Sequence, residues 1–405
     1  MDILFVVPYV PSLVRVRPYH LVRQMTARGH RVTVLTVWSG QNEEADADAL
    51  RQWCECVDGL RVPMARSALN CLLAVPGPLP LQSVYSWQPI LMKDIVRRAA
   101  EADVVHVEHL RGARYGVELK RALPQCPVIW DSVDCISLLF RQAARRSPKP
   151  LSRWAARFEL GRTERYEGWL LHQFDRVLVT SATDREALLS LSHANGNGNS
   201  RPPAVGVLAN GVDLAYFTPG PAAERAAAEI VITGKMSYHA NVAMALHFVR
   251  DILPHIRARR PDVRVSIVGK APPREVQALA EDSAVTVTGT VADIRPYLRR
   301  ATLAAAPIQY GAGIQNKVLE ALACATPTVA SPQAAAALQA PLEGALAVAS
   351  TPETFAEAVL QLLSDPERRN QMGAAGRNYV EAHHRWEAIG AELEGVYHGV
   401  LRADH

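Results

Sequence analysis

The feature that most constrains this chain is an alternation that runs through most of its length. A short run rich in Val, Ile and Leu is followed by a helical pattern, and then by another such run. In the first half these runs fall at residues 3–7, 31–37, 103–107, 128–130, 176–180 and 205–208. Buried parallel strands look like this, because helices cover both faces of their sheet. Strand–helix–strand alternation specifies an open α/β sheet. The segment 18–28 has helical character and stops at Gly29, a C-terminal cap position.

The pattern pauses and restarts. Residues 195–203 are polar and rich in Asn, Gly and Pro, which predicts a surface loop. Asn210-Gly211-Val212-Asp213 is a turn signal, and residues 216–221 read as a linker. New strands are expected at 230–233, 264–268, 285–288, 303–307 and 328–330, with helices over 241–259 and 315–324. The end of the chain reads as helix over 354–363, 366–383 and 386–401. No 20–50-residue period repeats, which excludes a solenoid. The expected division is one α/β domain over 1–215, a second over 218–384 and a terminal helix over 386–405.

Composition narrows the function. A chain of 405 residues carries a net charge of only +4 and no dense basic tract of the kind that binds nucleic acid. Six scattered cysteines do not make a disulfide framework or a zinc site, so free thiols in a reducing cytoplasm are expected. The N-terminus, Met1-Asp2-Ile3-Leu4-Phe5, lacks a basic region and reads as a first strand rather than a secretory signal. No apolar stretch is long enough to span a bilayer, so any membrane contact is expected to be peripheral, at the inner face.

Ligands of open α/β sheets sit outside the carboxyl ends of the strands. The informative residues should therefore follow strands. Gly311-Ala312-Gly313-Ile314-Gln315-Asn316-Lys317 follows one strand and opens a helix that contains Glu320. A helix start favours a phosphate, glycines allow close approach, and a carboxylate such as Glu320 can accept bonds from two vicinal ribose hydroxyls. A structural glycine turn with an exposed glutamate reads equally well. Gly234-Lys235 places a cation after another strand, where it can neutralise a diphosphate or simply be solvated. Gly269-Lys270 and Gly289-Thr290-Val291 follow two neighbouring strands and can read a nucleotide base or be plain turns.

In the first half, Glu108 and His109 follow a strand, as do Asp131 and Asp134, while Arg15, Arg17 and His20 open the first helix. These residues can orient an acceptor hydroxyl or meet an anionic acceptor. The run Arg141, Arg145, Arg146, Lys149, Arg153, Trp154, Arg157, Phe158, Arg162 and Arg165 is basic and aromatic. It fits an anionic membrane surface, or a solvated helix paired with Glu159, Glu164 and Glu167.

Taken together these residues resemble the family 4 glycosyltransferases, retaining enzymes of the GT-B fold. The likeness rests on four segments in order: Gly29-His30-Arg31-Val32, Asn210-Gly211-Val212-Asp213, Gly234-Lys235, and Gly311-Ala312-Gly313 with Glu320-Ala321-Leu322-Ala323. It covers nearly the whole chain, and the closest subgroup is found in exopolysaccharide clusters. The resemblance implies two Rossmann-like domains facing a cleft and a last helix crossing back to the first. It implies a donor on the second domain, held by Gly234, Lys235, Gly269, Thr290, Val291, residues 311–317 and Glu320. It implies an acceptor on the first domain, at Arg15, Arg17, His20, Glu108, His109, Asp131 and Asp134. Lys235, His109 and Glu320 are the expected catalytic groups. No metal or cofactor is expected, because basic residues and helix starts replace one at the diphosphate.

Two positions depart from the family pattern. The first of two glutamates seven residues apart falls on Ala312, and the second cation of an Arg/Lys pair falls near Asn241. Backbone groups of the 311–314 loop are available for the first loss, and Lys317 or Asn316 for the second. A sugar-nucleotide epimerase of the same fold and a catalytically degenerate subunit are the alternatives.

Overall fold

A computed structural model describes residues 1–38, 40–147, 150–194, 203–221, 224–339, 341–342 and 344–403, less the side chains of 41, 42, 193, 194 and 403. Residues 195–202 of the expected loop, and Lys149 of the basic run, lie outside the described residues. The chain forms two compact units. One comprises 1–144, 154–210 and 386–405, and the other 145–153 and 211–385.

The first unit is built on seven parallel strands: β1 (Asp2–Val7), β2 (Arg31–Trp38), β3 (Cys56–Arg61), β4 (Val104–Glu108), β5 (Val128–Val133), β6 (Arg176–Val179) and β7 (Val205–Val207). Their order is β3-β2-β1-β4-β5-β6-β7, so the chain reverses direction across the sheet between β1 and β4. β4 is buried along its whole length, as its apolar run requires. One apolar cluster, around Tyr115, Trp130 and Leu170, covers one face of the sheet. A second, around Leu21, Val34 and Tyr397, covers the other.

That second cluster includes the terminal helix Trp386–Ala403, which packs on the helix Val16–Ala27. The ring of Trp386 stacks on His20 at 4.8 Å, 8° from parallel. Gly390 permits the contact, since a Cβ there would come within 2.7 Å of the Gln24 Cβ. Arg28 and His30 both reach Glu394, at 2.6 and 2.8 Å.

The second unit repeats the plan with six parallel strands: β8 (Glu229–Thr233), β9 (Arg264–Val268), β10 (Val285–Gly289), β11 (Leu303–Ala306), β12 (Thr328–Ala330) and β13 (Ala347–Val348). Their order is β10-β9-β8-β11-β12-β13, with the reversal between β8 and β11. Both orders are those of a Rossmann-like sheet, whose ligands sit at the reversal. The segment expected to be a linker is held against this unit. Arg295 lies 3.9 Å over the Tyr216 ring, and Arg299 and Arg377 each donate to its carbonyls, Thr218 O and Phe217 O, at 2.7 Å.

Candidate donor site and its surroundings

The reversal in the second sheet brings together segments separated by up to 80 residues. β8 ends at Gly234-Lys235 and β11 leads into the Gly311–Ile314 turn, which opens the helix Asn316–Ala323. Gly234 and Gly269, which follow adjacent strands, touch so closely that a Cβ on Gly269 would stand 1.8 Å from the Gly234 carbonyl oxygen. Only glycine fits there. A Cβ on Gly234 would in turn meet Asn241 Nδ2 at 2.8 Å and Lys317 Cε at 3.2 Å. The Lys317 side chain therefore lies directly against the Gly234-Lys235 turn.

The turn itself is locally determined. Gly313 has φ +66°, a left-handed conformation that glycine adopts without penalty. Gln315 Nε2 donates to Ala312 O and Gly313 O at 3.3 and 3.4 Å, and its Oε1 accepts from Lys317 Nζ at 2.9 Å. Tyr310 stacks on His239 at 5.4 Å, and its hydroxyl lies 3.0 Å from His239 Nδ1. Asn241 Nδ2 donates to Lys235 O at 2.9 Å and fixes the lysine's turn.

Charge is poised here. Lys235 is exposed, and neither it nor Lys317 has a carboxylate at ion-pair distance among the described residues. Lys317 and Glu320 keep some accessible surface, yet protein atoms enclose both. Loss of hydration lowers the Lys317 ammonium to about 8, against the pull of Glu320. The same cause raises the Glu320 carboxyl to about 7, against the pull of Lys317. Glu320 accepts no side-chain hydrogen bond among the described residues. Such a pair is ready to exchange its poor solvation for a ligand's phosphate and hydroxyls.

Residues 227–365 match the family model described as "Glycosyl transferases group 1", and residues 14–197 match "Glycosyl transferase 4-like domain". The chain belongs to the group 1, family 4 glycosyltransferases. A GDP-mannose-dependent monoacylated alpha-(1-6)-phosphatidylinositol monomannoside mannosyltransferase of Corynebacterium glutamicum is 31% identical over 208 residues, 47% of this chain and 55% of that protein. The chain thus aligns with about half the length of this relative. Among solved structures, sucrose-phosphate synthase from Thermosynechococcus elongatus covers all of both chains with a TM-score of 0.69 at 17% identity. Anabaena HepE, solved with UDP and glucose, gives 0.69 at 15% identity over 98% of this chain and all of that one. These likenesses show the GT-B fold. The named relatives are transferases and a synthase, and none supports the epimerase alternative.

The residues expected for the acceptor divide into two groups. Arg17 is 4% exposed and is used internally. Its Nε donates to Asp131 Oδ2 at 2.7 Å, and one terminal nitrogen donates to Leu208 O and Asn210 Oδ1 at 3.0 and 2.8 Å. Burial would raise Asp131, but the Arg17 charge and His106, whose Nε2 lies 3.4 Å from Asp131 Oδ2, outweigh it and hold the carboxylate at about 2. His106 continues the chain to the Tyr397 hydroxyl of the terminal helix at 3.0 Å. His20 is committed to the Trp386 stack. Arg17, His20 and Asp131 thus form a polar core that ties the terminal helix to the sheet.

Glu108, His109 and Arg15 lie at the ends of β1 and β4, where that sheet reverses. Tyr9 Oη donates to Glu108 Oε1 at 3.1 Å, and Arg15 lies 4.2 Å over the Tyr9 ring. Burial, with Asp131 nearby, raises Glu108 to about 8, so it is protonated at neutral pH. His109 has φ +62°, and burial together with Arg111 and Arg15 lowers it to about 3, which keeps its imidazole neutral. A non-glycine residue in that region is a strained one, of the kind found at functional sites. Val133 is a second such residue, at φ +67° beside Asp134. Burial and the neighbouring Asp184 push Asp134 upward.

Sequence reasoning missed His239, Tyr310, Tyr9 and Arg111. His239 sits four residues past Lys235, so its position after a strand was the available signal. A cavity of about 510 Å³ in the second unit adjoins the same loop through Pro307, Ile308 and Gln309. It is also lined by Arg146, which donates to Gln309 O at 2.9 Å. No set of three or more His, Cys, Asp or Glu side chains is placed to hold a metal among the described residues.

Proposed function

We propose that the chain is a retaining hexosyltransferase. It moves a sugar from a UDP- or GDP-linked donor to a hydroxyl of a glycan, a lipid-linked glycan or a small metabolite. The observation that carries this reading is the meeting of Lys235, Lys317 and the Gly311–Ile314 turn at the ends of β8 and β11, with Glu320 one helical turn beyond. In this account Lys235, Lys317 and the start of the helix Asn316–Ala323 take up charge that develops on the leaving diphosphate. Lys317 answers the cation missing near Asn241, and no bound metal is needed. Glu320 holds the ribose hydroxyls, and the turns at Gly269 and at Thr290-Val291 face the base.

The bond from the anomeric carbon to phosphate oxygen breaks, and a bond from that carbon to the acceptor oxygen forms. The acceptor proton passes to the leaving phosphate on the same face of the sugar, so configuration is retained. Neutral His109 contacts the sugar or the acceptor, and the rest of the acceptor is held by the first unit at Glu108, Arg15 and Asp134. The Corynebacterium glutamicum relative is named as GDP-mannose-dependent, which supports a guanosine donor. The basic run in 141–165 supports a peripheral contact with an anionic membrane on the cytoplasmic side. Among the described residues no helix is long and apolar enough to cross a bilayer.

The test is nucleotide release from UDP- and GDP-sugars in the presence of a chelator, with the product anomer read by NMR. Release of one nucleotide with an unchanged anomer is expected. Nucleotide binding without release from any donor would replace this reading with that of a degenerate subunit, the alternative that Ala312 favours.

A further inference from the structure

The helix Met64–Ala74 is built inside out. The residue it buries is Ser67. Its neighbours on that inner face are polar or small: Asn70 Nδ2 donates to Val84 O and Trp87 O at 3.1 and 2.9 Å, and Cys71 Sγ donates to Leu81 O at 3.7 Å. Its outer face carries Leu69, Leu72 and Leu73, which are 42%, 67% and 70% exposed. At 100° per residue these three leucines and Arg66 share the side opposite Ser67. Met64 and Val75, at the two ends, are 72% and 40% exposed. In a monomer the three leucines forfeit their transfer energy, and the polar groups carry the anchoring.

The apolar surface continues onto a second helix of the same unit. Arg162 Nη2 donates to the carbonyl of Val75, and its guanidinium lies 4.2 Å over the Phe158 ring. Phe158 stacks on Trp154 at 5.7 Å, and Trp154 is 64% exposed. Helical spacing sets Arg157 and Arg165, both exposed, on the same side as Trp154 and Phe158. Leucines, a Trp–Phe stack and a border of arginines thus form one patch.

We propose that this patch, centred on Leu69, Leu72, Leu73, Trp154 and Phe158, inserts into the surface of an anionic membrane. It rests on the membrane contact proposed above and adds the helix Met64–Ala74, outside the basic run, to Trp154 and Phe158 within it as the elements that enter the lipid. The arginine border decides between occupants. Arg66, Arg157 and Arg165 border the apolar centre with exposed positive charge, and Glu164 beside them is paired with Arg141; the net positive border complements anionic headgroups and opposes a second copy of the same face.

The test is flotation of the full chain with vesicles of phosphatidylcholine alone and of phosphatidylcholine with phosphatidylglycerol. The wild type should float with the anionic vesicles and not with the neutral ones. Leu72→Ser/Leu73→Ser should lower the partition coefficient by at least about tenfold. Arg157→Gln and Arg165→Gln should each lower it by about fivefold. All these side chains are exposed, so unchanged nucleotide binding and circular dichroism should show an intact fold. If the arginine variants lose binding while Leu72→Ser/Leu73→Ser floats as the wild type does, the basic-helix contact stands and this inference fails. If the wild type floats with neither vesicle, both fall. Concentration-dependent dimers abolished by Leu72→Ser/Leu73→Ser, without flotation, would assign the patch to a second copy instead.

Discussion

The two sheets share a strand order but handle charge at their carboxyl ends in opposite ways. In the first unit Arg17 and Asp131 are buried together, and Asp131 is held near 2 by that partnership. In the second unit Lys235 is exposed, and Lys317 and Glu320 sit with their ionised forms disfavoured, near 8 and 7. A buried charge with its partner in place is structural. A cation and an acid left poorly solvated at a sheet reversal are what the proposed donor site would use. Similar residue types, all following strands, thus sit in different electrostatic settings, and the proposed roles follow that difference.

The sharpest way to break it is to remove one partner from each region. Arg17→Met leaves Asp131 buried and uncompensated, and should cost about 3–5 kcal/mol in urea denaturation. A cost under about 1 kcal/mol would mean that the pair is not structural. Glu320→Ala and Lys235→Ala should each lower turnover by about 10²-fold or more, with little change in stability. Wild-type rates in either variant would remove that residue from the site. Gly269→Ala lies between the two classes. Its Cβ would collide with Gly234 O, so it should destabilise by about 1–3 kcal/mol and also weaken nucleotide binding.

The smallest effect is one of pH. Glu320 must be ionised to accept ribose hydroxyls, so function falls as pH drops through about 7. Lys317 must be protonated to meet phosphate, so function falls as pH rises through about 8. The pair titrates as a unit, giving a narrow maximum of kcat/KM between those values. Glu320→Gln should lower the maximum and flatten the acid limb alone. A flat profile from pH 6 to 9 in the wild type would contradict the poised pair.

Much of this was legible in the sequence, for physical reasons that differ by element. The central strands announced themselves as apolar runs because helices cover both their faces. β3 and β13 did not: β3 reads Cys-Val-Asp-Gly-Leu-Arg with only Val57 buried, and β13 has two residues. The expected helix over 241–259 is interrupted by a wide π-helical turn at Phe248–Ile252. Pro254 follows it, and without an N–H it cannot close the α-helical bond to residue 250.

The proposed donor site was legible as a candidate because glycines and lysines directly follow strands. The roles of Arg17 and Asp131 were not, since they lie 114 positions apart and only the folded sheet joins them. The same holds for Lys317 against Gly234. The sequence offered Lys317 or Asn316 for the missing cation, and packing puts the Lys317 side chain at that turn.

The most direct test of the account is calorimetric titration of UDP and of GDP, with chelator present, into the wild type, Lys317→Met and Arg17→Met. Metal-independent binding of one nucleotide by the wild type is expected. Lys317→Met should lose at least about tenfold in affinity. Folded Arg17→Met should bind as the wild type does. Equal affinity in wild type and Lys317→Met, or no binding of either nucleotide, would contradict the assignment of the donor site to the second unit.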